Sequence, residues 1–162
     1  MRKYLYAVVL VFTIWFGNAQ TTNQQITPSN PNGIKILHSD FIDKNQNEIP
    51  GAIIFTGNVQ VQHNGVLINC NKAYHYTDED YVKAFGNVIL NQGDTIVMNS
   101  RYAEYNGKTL QAFATGNVNL RSPDSNLTTD TIYFDRNKQE AYYRSWGTIL
   151  NKENTLKSKS GR

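Results

Sequence analysis

The chain has 162 residues, of which 40% are hydrophobic, 12% aromatic and 18% charged, a length that suits one domain with a real core. The charged fraction lies below the roughly 25% usual for soluble proteins, and 20 Asn residues fill much of the polar share. That balance excludes a coiled coil, a charged disordered tail and a multi-span membrane protein. A formal charge of +3 gives no basic footprint for nucleic acid.

The amino terminus reads as an export segment. Arg2 and Lys3 precede an apolar run of 13 residues, Tyr4 to Phe16, and Gly17-Asn18-Ala19 puts small residues before Gln20. A spanning helix needs roughly 18–20 apolar residues, so residues 1–19 are expected to be a cleaved signal peptide; an uncleaved anchor is the alternative. Loss of Arg2 and Lys3 leaves 14 basic against 13 acidic residues. No cysteine follows the apolar run, so a lipid-acylation site is not expected. Residues 20–33, with Pro28 and Pro31, read as a flexible lead-in.

From Ile34 onward the sequence repeats itself. The marker is Gly57-Asn58-Val59, Gly86-Asn87-Val88 and Gly116-Asn117-Val118, with Gly147-Thr148-Ile149 as a variant, at spacings of 29, 30 and 31 residues. Recurrence at about 30 residues signals stacked supersecondary units that share a core. Around each marker the chain alternates with the period of a strand. One parity carries Ile53, Phe55, Val59 and Val61, then Val82, Ala84, Val88 and Leu90, then Ala112, Ala114, Val118 and Leu120, and finally Ile149. The opposite parity is mixed. Turn signals follow each strand: Asn64-Gly65, Gly93-Asp94 and Pro123-Asp124-Ser125, the first a strong hairpin signal. Aromatic second strands come next, around Tyr74-His75-Tyr76, Tyr102 to Tyr105 and Tyr133-Phe134. Helix content beyond residue 33 is expected to be low.

The marker glycine has two readings. It supplies a positive φ or a bulge where a strand bends, or it leaves space for a ligand; the bend is the preferred one. Catalytic signatures fail on inspection. His38-Ser39-Asp40 holds three triad residue types in a row, but neighbours on a strand point to opposite faces and cannot form a relay. His63 and His75 sit on different strands, and Asp78-Glu79-Asp80 reads as a solvated turn rather than a cation site. Cys70, the only cysteine, reads as a packed strand position. No enzyme activity, cofactor or metal is expected.

The segments FTGNVQVQ, AFGNVILNQGDTIVMNSRYAEYN and ATGNVNLRS…LTTDTIYFD, with IKILHSD ahead of them, resemble the OstA-like family. That family comprises periplasmic lipopolysaccharide-transport bridge proteins and a related domain of their outer-membrane partner. The resemblance spans 34–162 and implies an all-β fold, an antiparallel two-sheet V-shaped β-jellyroll of repeats. It further implies a periplasmic bridge that holds the acyl chains of lipid A. The partners implied are lipopolysaccharide and the Lpt-type inner- and outer-membrane components. The apolar column supplies the expected groove lining: Ile53, Phe55, Val59, Val61, Val82, Val88, Leu90, Val118, Leu120 and Ile149. Head-to-tail pairing through edge strands is also expected, because an uncapped sheet leaves unpaired backbone groups. The sequence stops within the fourth repeat, as expected of a fragment or an open edge. Two other readings compete: an exported structural or adhesive protein with a sealed core, and a glycan-degrading β-helix. The latter lacks recurring paired carboxylates.

Overall fold

The computed structural model describes residues 32–162, so the expected signal peptide and residues 20–31 of the lead-in lie outside the described residues. The described chain forms β1 (Lys35–His38), β2 (Phe41–Asp43), β3 (Ile53–His63), β4 (Val66–Tyr76), β5 (Tyr81–Gln92) and β6 (Ile96–Asn106). These continue into β7 (Gln111–Arg121), β8 (Ser125–Asp135), β9 (Glu140–Tyr142), β10 (Gly147–Asn151) and β11 (Thr155–Ser158). All belong to one antiparallel, open sheet of 11 strands, in the order β1-β3-β4-β5-β6-β7-β8-β10-β11. Strand β2 pairs with β3, and β9 pairs with β8. Tight hairpins join the long strands, the first through Asn64 and Gly65, both at positive φ.

Each long strand turns a corner near its middle. Gly57-Asn58, Gly86-Asn87 and Gly116-Asn117 all adopt positive φ, and in each case two residues face a single one on the next strand. Thr56 pairs with Lys72 and Val59 with Cys70, leaving Gly57 and Asn58 opposite Asn71 alone. Arg101 and Asp130 take the equivalent places on β6 and β8. This is a β-bulge, and it bends the strand. A bent layer is longer outside than inside, so its convex side must take extra residues. The even strands supply theirs by skipping a beat: buried Cys70 is followed by Ala73, Ser100 by Ala103, and Thr129 by Ile132.

Side chains of one strand cover the backbone of the next along this corner. A Cβ on Gly86 would lie 2.8 Å from Nδ2 of Asn71, and one on Gly116 would lie 2.9 Å from Cβ of Arg101. Gly147 departs from the pattern. Its φ is not positive; β10 starts there after a break from β9, and the Tyr143 ring packs against it. The corner also divides the ends of the sheet. Strand β1 pairs with β3 beyond the corner (Gln60–Gln62) and β2 before it (Ile54–Thr56). At the other end β10 pairs with Ser125–Thr129 of β8, and β9 with Tyr133–Asp135.

Candidate functional site

The core lies on the concave face. Phe55, Val59, Val61, Val82, Val88 and Val118 form one buried cluster with Val66, Ile68, Met98 and Ile132. Ile53, Leu90 and Leu120 are partly buried against it, and Ile149 is half-buried farther along, on β10. Nine of the ten expected lining residues therefore meet in one apolar interior. Val59 and Val88 are 0% exposed, so the middle of this interior is filled by the protein's own side chains. Burial loosens toward the carboxyl-terminal strands, where Leu120, Leu127, Phe134 and Ala141 are only partly covered.

The two rims of the bent sheet meet at one place. In a flat sheet, the hairpin at Asn64-Gly65 and the turns after Tyr76, Asn106 and Asp135 would lie at opposite strand ends. They would be about 36 Å apart for 11-residue strands. Instead His63 Nδ1 lies 2.8 Å from the Tyr105 hydroxyl, and Arg136 Nη2 donates to the Asn64 carbonyl at 3.2 Å. Arg136 Nη1 also donates to the Tyr105 oxygen at 3.4 Å. The Ile34 amide donates to Asp80 Oδ1 at 2.8 Å, while the Ile34 side chain is buried in the core. The sheet is thus folded over, and its amino-terminal mouth is closed by polar contacts around an isoleucine plug.

Sequence reasoning missed this arrangement. Asp80 belongs to the turn expected to be solvated, yet it is buried and accepts from a backbone amide. The signal was present in the parity: His63 continues the inward column of Val59 and Val61. His75 is also buried, and its Nε2 has no hydrogen-bond partner. Burial pushes its pKa below the ordinary histidine value, and the charge of Asp80 raises it by less. The neutral ring therefore stabilises the fold above about pH 6.5, and that contribution is lost as pH falls below it. Urea midpoints at pH 7.5 and pH 5 are expected to differ less for His75→Phe than for the unaltered chain.

The other candidates hold no chemistry together. His38 Nε2 and Asp40 Oδ1 do approach to 3.3 Å on the exposed edge, and Ser39 bonds to neither. Cys70 is buried, its thiol pushed up to about 11 by that burial, which leaves it unreactive near neutral pH. Among the described residues no group of three His, Cys, Asp or Glu could hold a metal. Among them, too, no helix is long and apolar enough to cross a membrane.

The convex face carries a ladder of rings that the sequence reading left as a mixed surface. Tyr74, Phe85 and Tyr102 pack as tilted rings across β4–β6 at 4.7 and 5.0 Å; across β7–β9 at 5.0 Å, Phe113 is tilted against Tyr133 and Tyr133 stacks on Tyr142. Glu104 accepts the hydroxyls of Tyr81 and Tyr102. Burial, with that carboxylate second, raises both phenol pKa values. An open cleft of about 900 Å³ lies at the turn end of β7–β9. Within it Lys138 pairs with Asp135 and Arg162 with Glu140, and Arg144 lies over the Tyr142 ring.

Comparison with solved structures gives the same architecture. The fold is similar to LptH of Pseudomonas aeruginosa, described as the LptA-homologous periplasmic component of the conserved lipopolysaccharide transport device. The TM-score is 0.58 at 14% identity, over 71% of this chain and 84% of that one. No curated protein matches by sequence. Residues 32–162 match the family described as OstA-like protein, a span that takes in every described strand, the three Gly-Asn corners and the apolar interior between them. The chain belongs to the OstA-like family.

Proposed function

We propose that this protein is a periplasmic bridge in lipopolysaccharide transport, holding acyl chains of lipid A between the two halves of its bent sheet. The observation that carries this reading is the continuous apolar interior. It crosses every long strand and loosens toward one edge. In this proposal the corner line makes the sheet a V-shaped jellyroll, and Ile53, Phe55, Val59, Val61, Val82, Val88, Leu90, Val118, Leu120 and Ile149 line its groove. Each 12-carbon chain taken from water contributes roughly 9 kcal/mol, at about 0.8 kcal/mol per CH2. That gain can offset the lost contacts when the half-sheets part. Directional release then requires energy from a partner, here an Lpt-type inner-membrane component, with an outer-membrane component as acceptor. The protein itself performs no chemistry.

The ends of the sheet support a bridge. Large exposed hydrophobic residues gather on the two edges, Leu37, Phe41 and Ile42 on one and Trp146, Leu150 and Leu156 on the other; Ile89 is the exception. Joining unlike edges is a heterologous contact that extends into filaments. Phe41→Lys or Leu156→Lys is expected to reduce the mass measured by light scattering at high concentration to that of a monomer.

A photo-crosslinker at Val88 or Val118 should capture lipopolysaccharide in the cell envelope, while one at the outward Asn87 or Asn117 should not. Equal capture by both pairs defeats the assignment. The dry packing at Val59 and Val88 favours a second reading, an exported structural protein with a sealed core. That protein captures no lipid at Val88.

A further inference from the structure

The geometry points to a latch that controls access to the apolar interior: the tip of the first hairpin, fastened by Tyr105 and Arg136 and plugged by Ile34. This inference rests on the proposed lipid-binding role and names its regulation. Three contacts join strand ends that the connectivity places on opposite rims. The carbonyl of Asn32 lies 2.9 Å from His63 Nε2, and a carbonyl only accepts, so Nε2 is the donor of that pair. Nδ1 then accepts from the Tyr105 hydroxyl, whose oxygen accepts from Arg136. The same guanidinium reaches the hairpin backbone at Asn64. One donor-to-acceptor chain thus runs from the turn after β8, through the end of β6, to the end of β3 and the incoming strand.

The latch lies where the interior is tightest. Ile34, 1% exposed, belongs to the same buried cluster as Val59, Val61 and Val88. Next to the latch, Lys35 pairs with Gln62, so Ile34 is held at the rim from both sides. At the other end of the interior the buried Tyr143 is tied to Gly161 and Ser158, but Leu120, Leu127, Phe134 and Ala141 stay partly exposed. With the rims joined, a long acyl chain reaches only the loosely covered residues of β7–β10. With them parted, the half-sheets separate about the Gly-Asn corner line and the deep valines become available. The latch is a conformational equilibrium in series with binding, and the apparent affinity scales with the open fraction.

Weakening the latch must therefore strengthen lipid binding, which a purely structural contact would not do. The test uses the exported chain with cis-parinaric acid as a fluorescent acyl probe, on the unaltered protein, Tyr105→Phe, and Tyr105→Phe/Arg136→Gln. The double variant is expected to bind at least fivefold more tightly and to take up probe faster. The single variant, which keeps the ring and loses one hydroxyl, should gain about twofold and decides the matter if the double variant loses its β circular-dichroism spectrum. Affinity equal to or weaker than that of the unaltered protein overturns the latch. The lipid-binding reading then still stands if the unaltered chain binds probe and a crosslinker at Val88 captures it. Absence of probe binding by all three proteins overturns both.

Discussion

Gly116→Val is expected to lower the unfolding free energy by about 3–6 kcal/mol, read from urea denaturation. Two effects combine. Gly116 sits at φ +84, a region that costs a non-glycine residue of order 1–3 kcal/mol and a β-branched one toward the upper end. A Cβ there would also stand 2.9 Å from Cβ and 3.2 Å from Cγ of Arg101. That clash lies close to the backbone of β6 and cannot be relieved by swinging a side-chain tip, so a further 1–3 kcal/mol of overpacking is expected, at about the usual range. Gly93→Ala separates the two effects. Gly93 has φ +60 and nothing within 4 Å of where a Cβ would stand, so Gly93→Ala should lose only about 1 kcal/mol from backbone strain. Similar losses at both sites would mean that the corner tolerates side chains and that the bend is not set by the bulge.

The second large effect is Val88→Asp. Val88 is 0% exposed and sits beside the corner, surrounded by apolar side chains. An unpaired carboxylate there costs more than about 4 kcal/mol, or is held protonated at a comparable cost. Native domains have only about 5–15 kcal/mol in total, so the variant should be largely unfolded by circular dichroism at 37 °C. Val88→Thr has nearly the same shape and should lose about 1–3 kcal/mol, the usual effect of burying one hydroxyl. A water-filled interior would tolerate both changes within about 1 kcal/mol, near the range seen for surface substitutions. The pair therefore reports directly whether the interior is dry in the resting protein.

Much of the fold was legible because its signals are local. The period-two column from Ile53 to Leu120 identified the concave face of β3, β5 and β7, and Asn64-Gly65 marked its hairpin. The bulge preserved that reading: an extra residue in each odd strand keeps the alternation in phase across the corner. The even strands carry no such insertion, so their buried residues shift phase between Cys70 and Ala73 and again between Ser100 and Ala103. A strict period cannot follow that shift. The hydrogen-bonded partners of His63 were also out of reach. Tyr105 and Asn64 lie 42 and 72 residues from their respective partners, His63 and Arg136, and only the folding over of the sheet brings them together. Gly147 shows the opposite failure. It keeps the spacing of the marker but has lost the backbone geometry, because β9 and β10 are separate strands and no corner has to be turned within one of them.

The divided ends of the sheet also bear on misassembly. Exposed strand edges are ordinarily templates for indiscriminate aggregation. Here each end offers two short strips set at an angle, β1 and β2 at one end and β9 and β11 at the other, none longer than four residues. A flat strand from an unrelated chain can satisfy one strip but not both. A sheet creased along the same line can engage the two together, and each strip then strengthens the other's hold as paired weak sites do. The crease thus acts as a password at the edge, one that a stray flat strand does not carry.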